Sequence, residues 1–190
     1  MIAIVCNDAG SSEIISSWIL TQNEEYLLVL DGPAVQIFSR KINNIKTHTL
    51  DNALKKADWL VTGTSIFSSL EIDAIAKSKL LNIKSVTFLD HWANYPERFV
   101  KNNNQIYPDE LWVGDSYAYN IAKKIFPKIK VIFQENAYFK SIQTASKILK
   151  SKIRYDKQNE YILYLCSPVA EHAKLIHGNE KYWGYDEHDR

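Results

Sequence analysis

The chain has 190 residues, 46% of them hydrophobic and 24% charged, with a net charge of +1. That length holds one large domain, or one domain and part of a second. The balanced charge excludes a basic nucleic-acid binder and a charged tail, and no apolar run reaches the roughly 20 residues that span a bilayer. The N-terminus, MIAIVCND, has neither a basic region nor a cleavage signal, so a cytoplasmic protein without a transmembrane segment is expected.

In chain order, IAIVC reads as a strand and SEIISSWILTQ as a helix, with Ile14, Ile15, Trp18 and Ile19 at helical spacing. YLLVL is a second strand, and DGPAVQIFSRKI opens a helix with Pro33 in its first turn. THTL is expected as a short third strand before the helix DNALKKA. WLVTG is a buried strand, and SSLEIDAIAKSKLL is a helix in which Ser68 and Glu71 have the spacing of a capping box. KSVTFLD follows as a strand. ELWVGD with YAYNIAKKIF, and KVIFQ with AYFKSIQTASKILKSK, then repeat the strand-helix unit. The lysines of AKKIFPKIK and KILKSKIR read as solvated helix faces.

This alternation predicts an α/β protein, a Rossmann-like doubly wound parallel sheet. The continuously apolar strands suit burial on both faces. RYDKQNE, at 154–160, reads as a linker, YILYLCSPVAEH as the first strand of a new unit, and GYDEHDR as the start of a helix. The expected division is a domain over 1–153, then a linker and the first strand of an incomplete second α/β domain over 154–190. Cys6 and Cys166, far apart in apolar runs, read as reduced core residues.

Open parallel sheets bind ligands outside the carboxyl ends of their strands. The segments to inspect are therefore NDAGSS, DGPA, GTSIFSS, DHWANYPER, GDSYA and QENAY. Asp90 and His91 end a buried strand, where a carboxylate or imidazole can act as general base; the alternative is that Asp90 caps its loop and His91 packs on Trp92. Trp92 and Tyr95 offer flat faces for a sugar ring, or ordinary packing. Glu97 and Arg98 are expected first as an ion pair holding the loop, with anion binding by Arg98 as the second choice. Gly10 allows close approach of the backbone to a ligand at a helix start, while Asp8 or Ser11 can serve as a helix cap. Thr64 and Ser65 follow the same logic. No G-x-G-x-x-G or Walker sequence is present. His172, His177, Glu180 and His188 fit no compact zinc spacing and read as surface residues.

The order of these motifs resembles the N-terminal domain of GT-B-type glycosyltransferases and of the related UDP-N-acetylglucosamine 2-epimerases. The residues that carry the resemblance are NDAGSS after the first strand, VTGTSIFSS after a middle strand, Asp90 of TFLDHW, YPERF, DELWVGDSYAYNIAKKIF, and VIFQENAYFKSI with its loop asparagine Asn136. It covers roughly residues 1–150. The resemblance implies one half of a GT-B enzyme, the acceptor side, in bacterial surface polysaccharide or lipopolysaccharide synthesis. Asp90 or His91 would be the base, and Asp8, Gly10, Ser11, Thr64, Ser65, Trp92, Asn94, Glu97, Arg98 and Asn136 would contact substrate. Its partners would be a nucleotide sugar, used as substrate with no cofactor or metal, a glycan or lipid-linked acceptor that allows peripheral membrane contact, and the missing C-terminal domain that holds most of the donor site. Inactivity of this chain alone is then expected. The epimerases carry an aspartate in the middle loop where this chain has Thr64, and a second carboxylate where it offers only Glu97. A sugar-nucleotide epimerase or hydrolase, and a non-catalytic nucleotide- or glycan-binding domain, are the two alternatives.

Overall fold

The computed structural model describes residues 1–152 and 168–184. The chain divides into two compact units, Met1–Lys150 and Ser151–Arg190.

The first unit is an α/β domain built on a six-stranded, all-parallel sheet. Strand β1 (Ile2–Cys6) is buried along its whole length, as its unbroken apolar sequence requires. It lies between β2 (Tyr26–Leu30) and β3 (Trp59–Thr62), which is followed outward by β4 (Lys84–Leu89). A short hairpin, β5 (Val100–Lys101) and β6 (Asn104–Gln105), stands apart, and β7 (Glu110–Val113) and β8 (Lys130–Phe133) complete the sheet. The order is β2-β1-β3-β4-β7-β8, so the chain reverses its direction of travel across the sheet between β1 and β3. At that reversal the connecting helices leave on opposite faces and open a crevice at the carboxyl edge.

Helices α1 (Ala9–Ile19) and α2 (Pro33–Lys41) pack on one face, where Ile15, Trp18 and Phe38 meet Ile4, Val61 and Phe88. The opposite face carries α3 (Leu50–Leu54), α4 (Leu70–Leu80) and α5 (Ser116–Ile125). The last helix of the unit, α6 (Ala137–Lys152), brings Tyr138 against the α1 face. Trp18, Trp59 and Trp112 meet edge to face, with ring centroids 5.1–6.1 Å apart, and tie a helix to two strands.

Two expectations are corrected, and a third lies largely outside the described residues. THTL is no strand: only Thr47 bridges to Leu28, because Thr49 turns instead into the cap of α3, its hydroxyl accepting from the Asn52 amide. The capping box at Ser68 does not form, because the Glu71 side chain turns under the sheet edge and accepts from the Asn7 amide at 2.6 Å. The Ser68 hydroxyl accepts instead from the Leu70 amide. In the second unit, the strand expected to run through YILYLCSPVAEH lies outside the described residues up to Ser167, while Val169–His177 is a helix, α7, ended by Gly178 in the left-handed conformation. Cys166, His188 and GYDEHDR beyond Gly184 also lie outside the described residues.

In the middle of the sheet the Thr62 and Thr87 hydroxyls, both fully buried, bond to each other across β3 and β4 at 2.7 Å. Thr62→Val strands the Thr87 hydroxyl without a partner and should cost about 1–2 kcal/mol in urea unfolding. Adding Thr87→Val should recover most of that loss; a double variant as unstable as the sum of the singles would show that the pair itself contributes nothing.

Candidate functional site

The crevice at the strand reversal is built around one carboxylate. Asp90 follows β4 directly, with its side chain 4% exposed. A charge this deep needs compensation, and Arg98 supplies it. Its side chain is 7% exposed, and Nη1 lies 3.6 Å from Asp90 Oδ1. The same Nη1 donates to Thr64 Oγ1 at 2.6 Å, and Thr64 in turn donates to Asp90 Oδ1 at 3.3 Å. Acid, hydroxyl and guanidinium thus link the ends of β3 and β4 to the loop that follows. Arg98 reaches inward because Glu97–Phe99 forms a 3-10 turn, with Phe99 anchored in the core beside Phe126.

The other oxygen, Asp90 Oδ2, is pressed against the first turn of α1. A Cβ at position 10 would overlap it, which is the reason for Gly10. Gly63 has the same function one strand away, since a side chain there would collide with Ser11. The start of α1 therefore already faces an anion that the protein supplies, and the dipole of the helix stabilises the buried carboxylate.

Asp8 stands at the start of α1 yet makes no capping bond with its side chain. Burial pushes its carboxyl above the usual range and Asp90 adds to this, while a bond from Ser65 and the charges of Arg98 and His91 pull the other way. Beneath it, Glu71 is 2% exposed, and its Oε2 has no partner. Burial, opposed mainly by the Asn7 amide, raises its pKa to about 7. Ser11 and Ser12 both donate to the Asp8 carbonyl, and the Ser65 hydroxyl accepts from the amides of Phe67 and Ser68, shaping the loop after β3.

In front of this polar floor lies a cavity of about 280 Å³. Gly10, Asp90 and His91 form one wall, Trp92 and Asp115 a second, and Asn136 with Phe139 a third. Three helix starts, those of α1, α5 and α6, converge on it. Trp92 is 55% exposed and is held by its indole N–H, which donates to Asp115 Oδ2 at 2.9 Å. Asp115 Oδ1 caps α5 through the Ala118 amide at 2.7 Å, and Asn136 Oδ1 caps α6 through the Phe139 amide at 3.1 Å.

The expected residues thus fall into groups. Gly10, Asp90, His91, Trp92 and Asn136 line the cavity; Asp8, Ser11, Thr64 and Ser65 form the structure behind it. Asn94, exposed and left-handed at φ 57°, does not line it. The Glu97–Arg98 ion pair is corrected: Arg98 turns inward to Asp90, and Glu97 lies on a separate hollow of about 410 Å³ beside Ser69 and Lys101. Tyr95 is corrected as a stacking platform, being 1% exposed and stacked on Phe126. Asp8 and Ser11 do not cap α1 through their side chains.

Glu71, Asp115, Tyr138 and Phe139 were not singled out by the sequence. Asp115 had a signal in the GDSYA loop, whereas Glu71 was hidden by its resemblance to a helix cap. In the second unit, His177 stacks on Tyr182 at 3.6 Å and Glu180 pairs with Lys174, and among the described residues no group of three or more metal-ligating side chains gathers. No helix among the described residues is long and apolar enough to cross a membrane.

No family model, curated protein or solved structure matches the chain.

Two outcomes are expected from this arrangement. Arg98→Met leaves Asp90 buried without its counter-charge and should cost roughly 3–5 kcal/mol in denaturant unfolding, much of it recovered by adding Asp90→Asn. Glu71 binds a proton more tightly folded than unfolded, so its contribution is complete below about pH 4.5 and is lost as pH rises through about 7. Thermal melts across that window should show the native chain losing on the order of 3 kcal/mol relative to Glu71→Gln. Parallel curves for the two proteins would remove the assignment.

Proposed function

We propose that this domain is the acceptor-side half of a GT-B-like glycosyltransferase that uses a nucleotide-activated sugar to build a bacterial surface glycan. The observation that carries the reading is the cavity at the strand reversal, where an acid, an imidazole and an exposed indole stand together. A sugar needs an aromatic face for its apolar side and polar groups for its hydroxyls, and both are present.

His91, exposed at the cavity wall, is the base that takes the proton of the attacking hydroxyl. That oxygen then bonds to the anomeric carbon of the donor sugar as the bond to the nucleotide phosphate breaks. Asp90 is less free for this task because Oδ1 is held by Thr64 and Arg98 and Oδ2 lies against the first turn of α1; it orients the loop. The donor's diphosphate would bind to a second domain. The epimerase alternative asks for two carboxylates at one sugar carbon, and Glu97, on its separate hollow, supplies none to this cavity.

Saturation-transfer NMR and thermal shift with panels of glycan acceptors and nucleotide sugars test the reading. Acceptor glycans should bind the 190-residue chain, and labelled sugar should not be transferred by it alone. Robust turnover by this chain would overturn the division into acceptor and donor halves, and failure of every glycan to bind would overturn the reading itself.

A further inference from the structure

We infer that the cavity selects an uncharged, hydroxyl-bearing ring and rejects sugars that carry phosphate or carboxylate at the bound end. The inference rests on the acceptor reading above and specifies its substrate class.

The argument is one of charge accounting. The ionisable groups on the cavity wall are Glu13, Asp90, Asp115, His91 and the phenol of Tyr138. Each of the three carboxylates already has its partners within the protein. Glu13 is held by Arg40 at 2.7 Å and Lys41 at 2.5 Å. Asp90 is held by Thr64 and Arg98, and Asp115 by the Trp92 indole and the Ala118 amide. Among the described residues no lysine or arginine lines the cavity. The guanidinium of Arg40 is held by Glu13, and that of Arg98 is held by Asp90 and lines the other hollow.

An anionic ligand would therefore leave water for a wall on which Arg40, Lys41 and Arg98 are already taken by Glu13 and Asp90 and no lysine or arginine is left to meet it. The helix starts do not reverse this, because Asp90 sits against α1 and Asp115 and Asn136 cap α5 and α6. A cationic ligand would find Glu13 and Asp90 already paired with Arg40, Lys41 and Arg98, and both oxygens of Asp115 already accepting from the Trp92 indole and the Ala118 amide. A neutral ring meets neither obstacle. Its apolar face rests on Trp92 and Phe139, and its hydroxyls can meet the His91 imidazole and accept from the Asn136 amide group, whose oxygen is occupied by the Phe139 amide. Rejection by unmatched charge is a familiar route to specificity.

The test follows the Trp92 indole N–H in the ¹⁵N-labelled 190-residue chain, its resonance identified among the five tryptophans by Trp92→Phe. The chain is titrated with methyl glycosides of neutral hexoses, and with hexose 6-phosphates and uronic acids. Neutral glycosides should move the Trp92 signal, anionic sugars should bind about tenfold more weakly or worse, and Trp92→Ala should weaken neutral binding about tenfold. Anionic sugars binding as well as neutral ones would overturn this inference and leave the acceptor reading standing. Neutral binding that Trp92→Ala does not affect, or no movement of the Trp92 signal by any sugar, would overturn it as well. Selective neutral binding by a protein that never takes part in transfer would leave the charge argument intact and remove the transferase.

Discussion

The domain depends on holding one carboxylate in place where water hardly reaches. Asp90 ends a central strand, and three separate parts of the chain are arranged to hold it: Thr64 from the neighbouring strand, Arg98 from the loop beyond, and the first turn of α1, thinned to Gly10 so that the helix can approach. Removing any one of these leaves a charge in a poor solvent. The pair is therefore better understood as a clamp than as a source of net stability. It fixes the loop from His91 to Phe99, and so fixes where His91 and Trp92 stand at the edge of the sheet.

Two layers can be separated on this edge. Behind is a polar floor of Ser65, Glu71, Thr64 and Arg98 with the half-buried Asp8, and burial makes its two free acids, Asp8 and Glu71, hold protons more tightly than usual. In front is a mostly apolar cavity whose few charges are matched. The layers meet at Asp90, which belongs to both. A change of charge in the floor reaches the cavity wall through that residue and through His91, whose charge acts on Asp8 directly.

Much of the fold was legible in the sequence because buried parallel strands must be apolar throughout and helices must alternate with them; IAIVC, WLVTG and KSVTFLD admit little else. Of the six loops the carboxyl-edge rule points to, NDAGSS, DHWANYPER, GDSYA and QENAY line the cavity, and DGPA and GTSIFSS do not. What the sequence could not show was which way side chains turn once a loop is fixed by distant contacts. Arg98 beside Glu97 looks like a local ion pair, and only the anchoring of Phe99 in the core turns it toward Asp90. Ser68 and Glu71 look like a cap, and only the proximity of the Asn7 amide, 64 residues away in sequence, draws the acid elsewhere. Tyr95 looked available because it shares a loop with Trp92, yet the 3-10 turn folds it inward. The NNN stretch does carry a local signal: Asn102 and Asn103 at φ 49° and 61° make the tight turn between β5 and β6.

The tryptophan cluster has a consequence of another kind. Trp18, Trp59 and Trp112 come from a helix, a strand beside the reversal and a strand near the sheet edge, and their rings lie within 5.1–6.1 Å of one another. Chromophores this close share their excited states, so their near-ultraviolet circular dichroism belongs to the trio and not to any one ring. That signal exists only while helix and sheet are docked. It gives the domain a built-in optical gauge of its own closure, spectrally separable from the solvent-exposed Trp92 at the rim of the cavity.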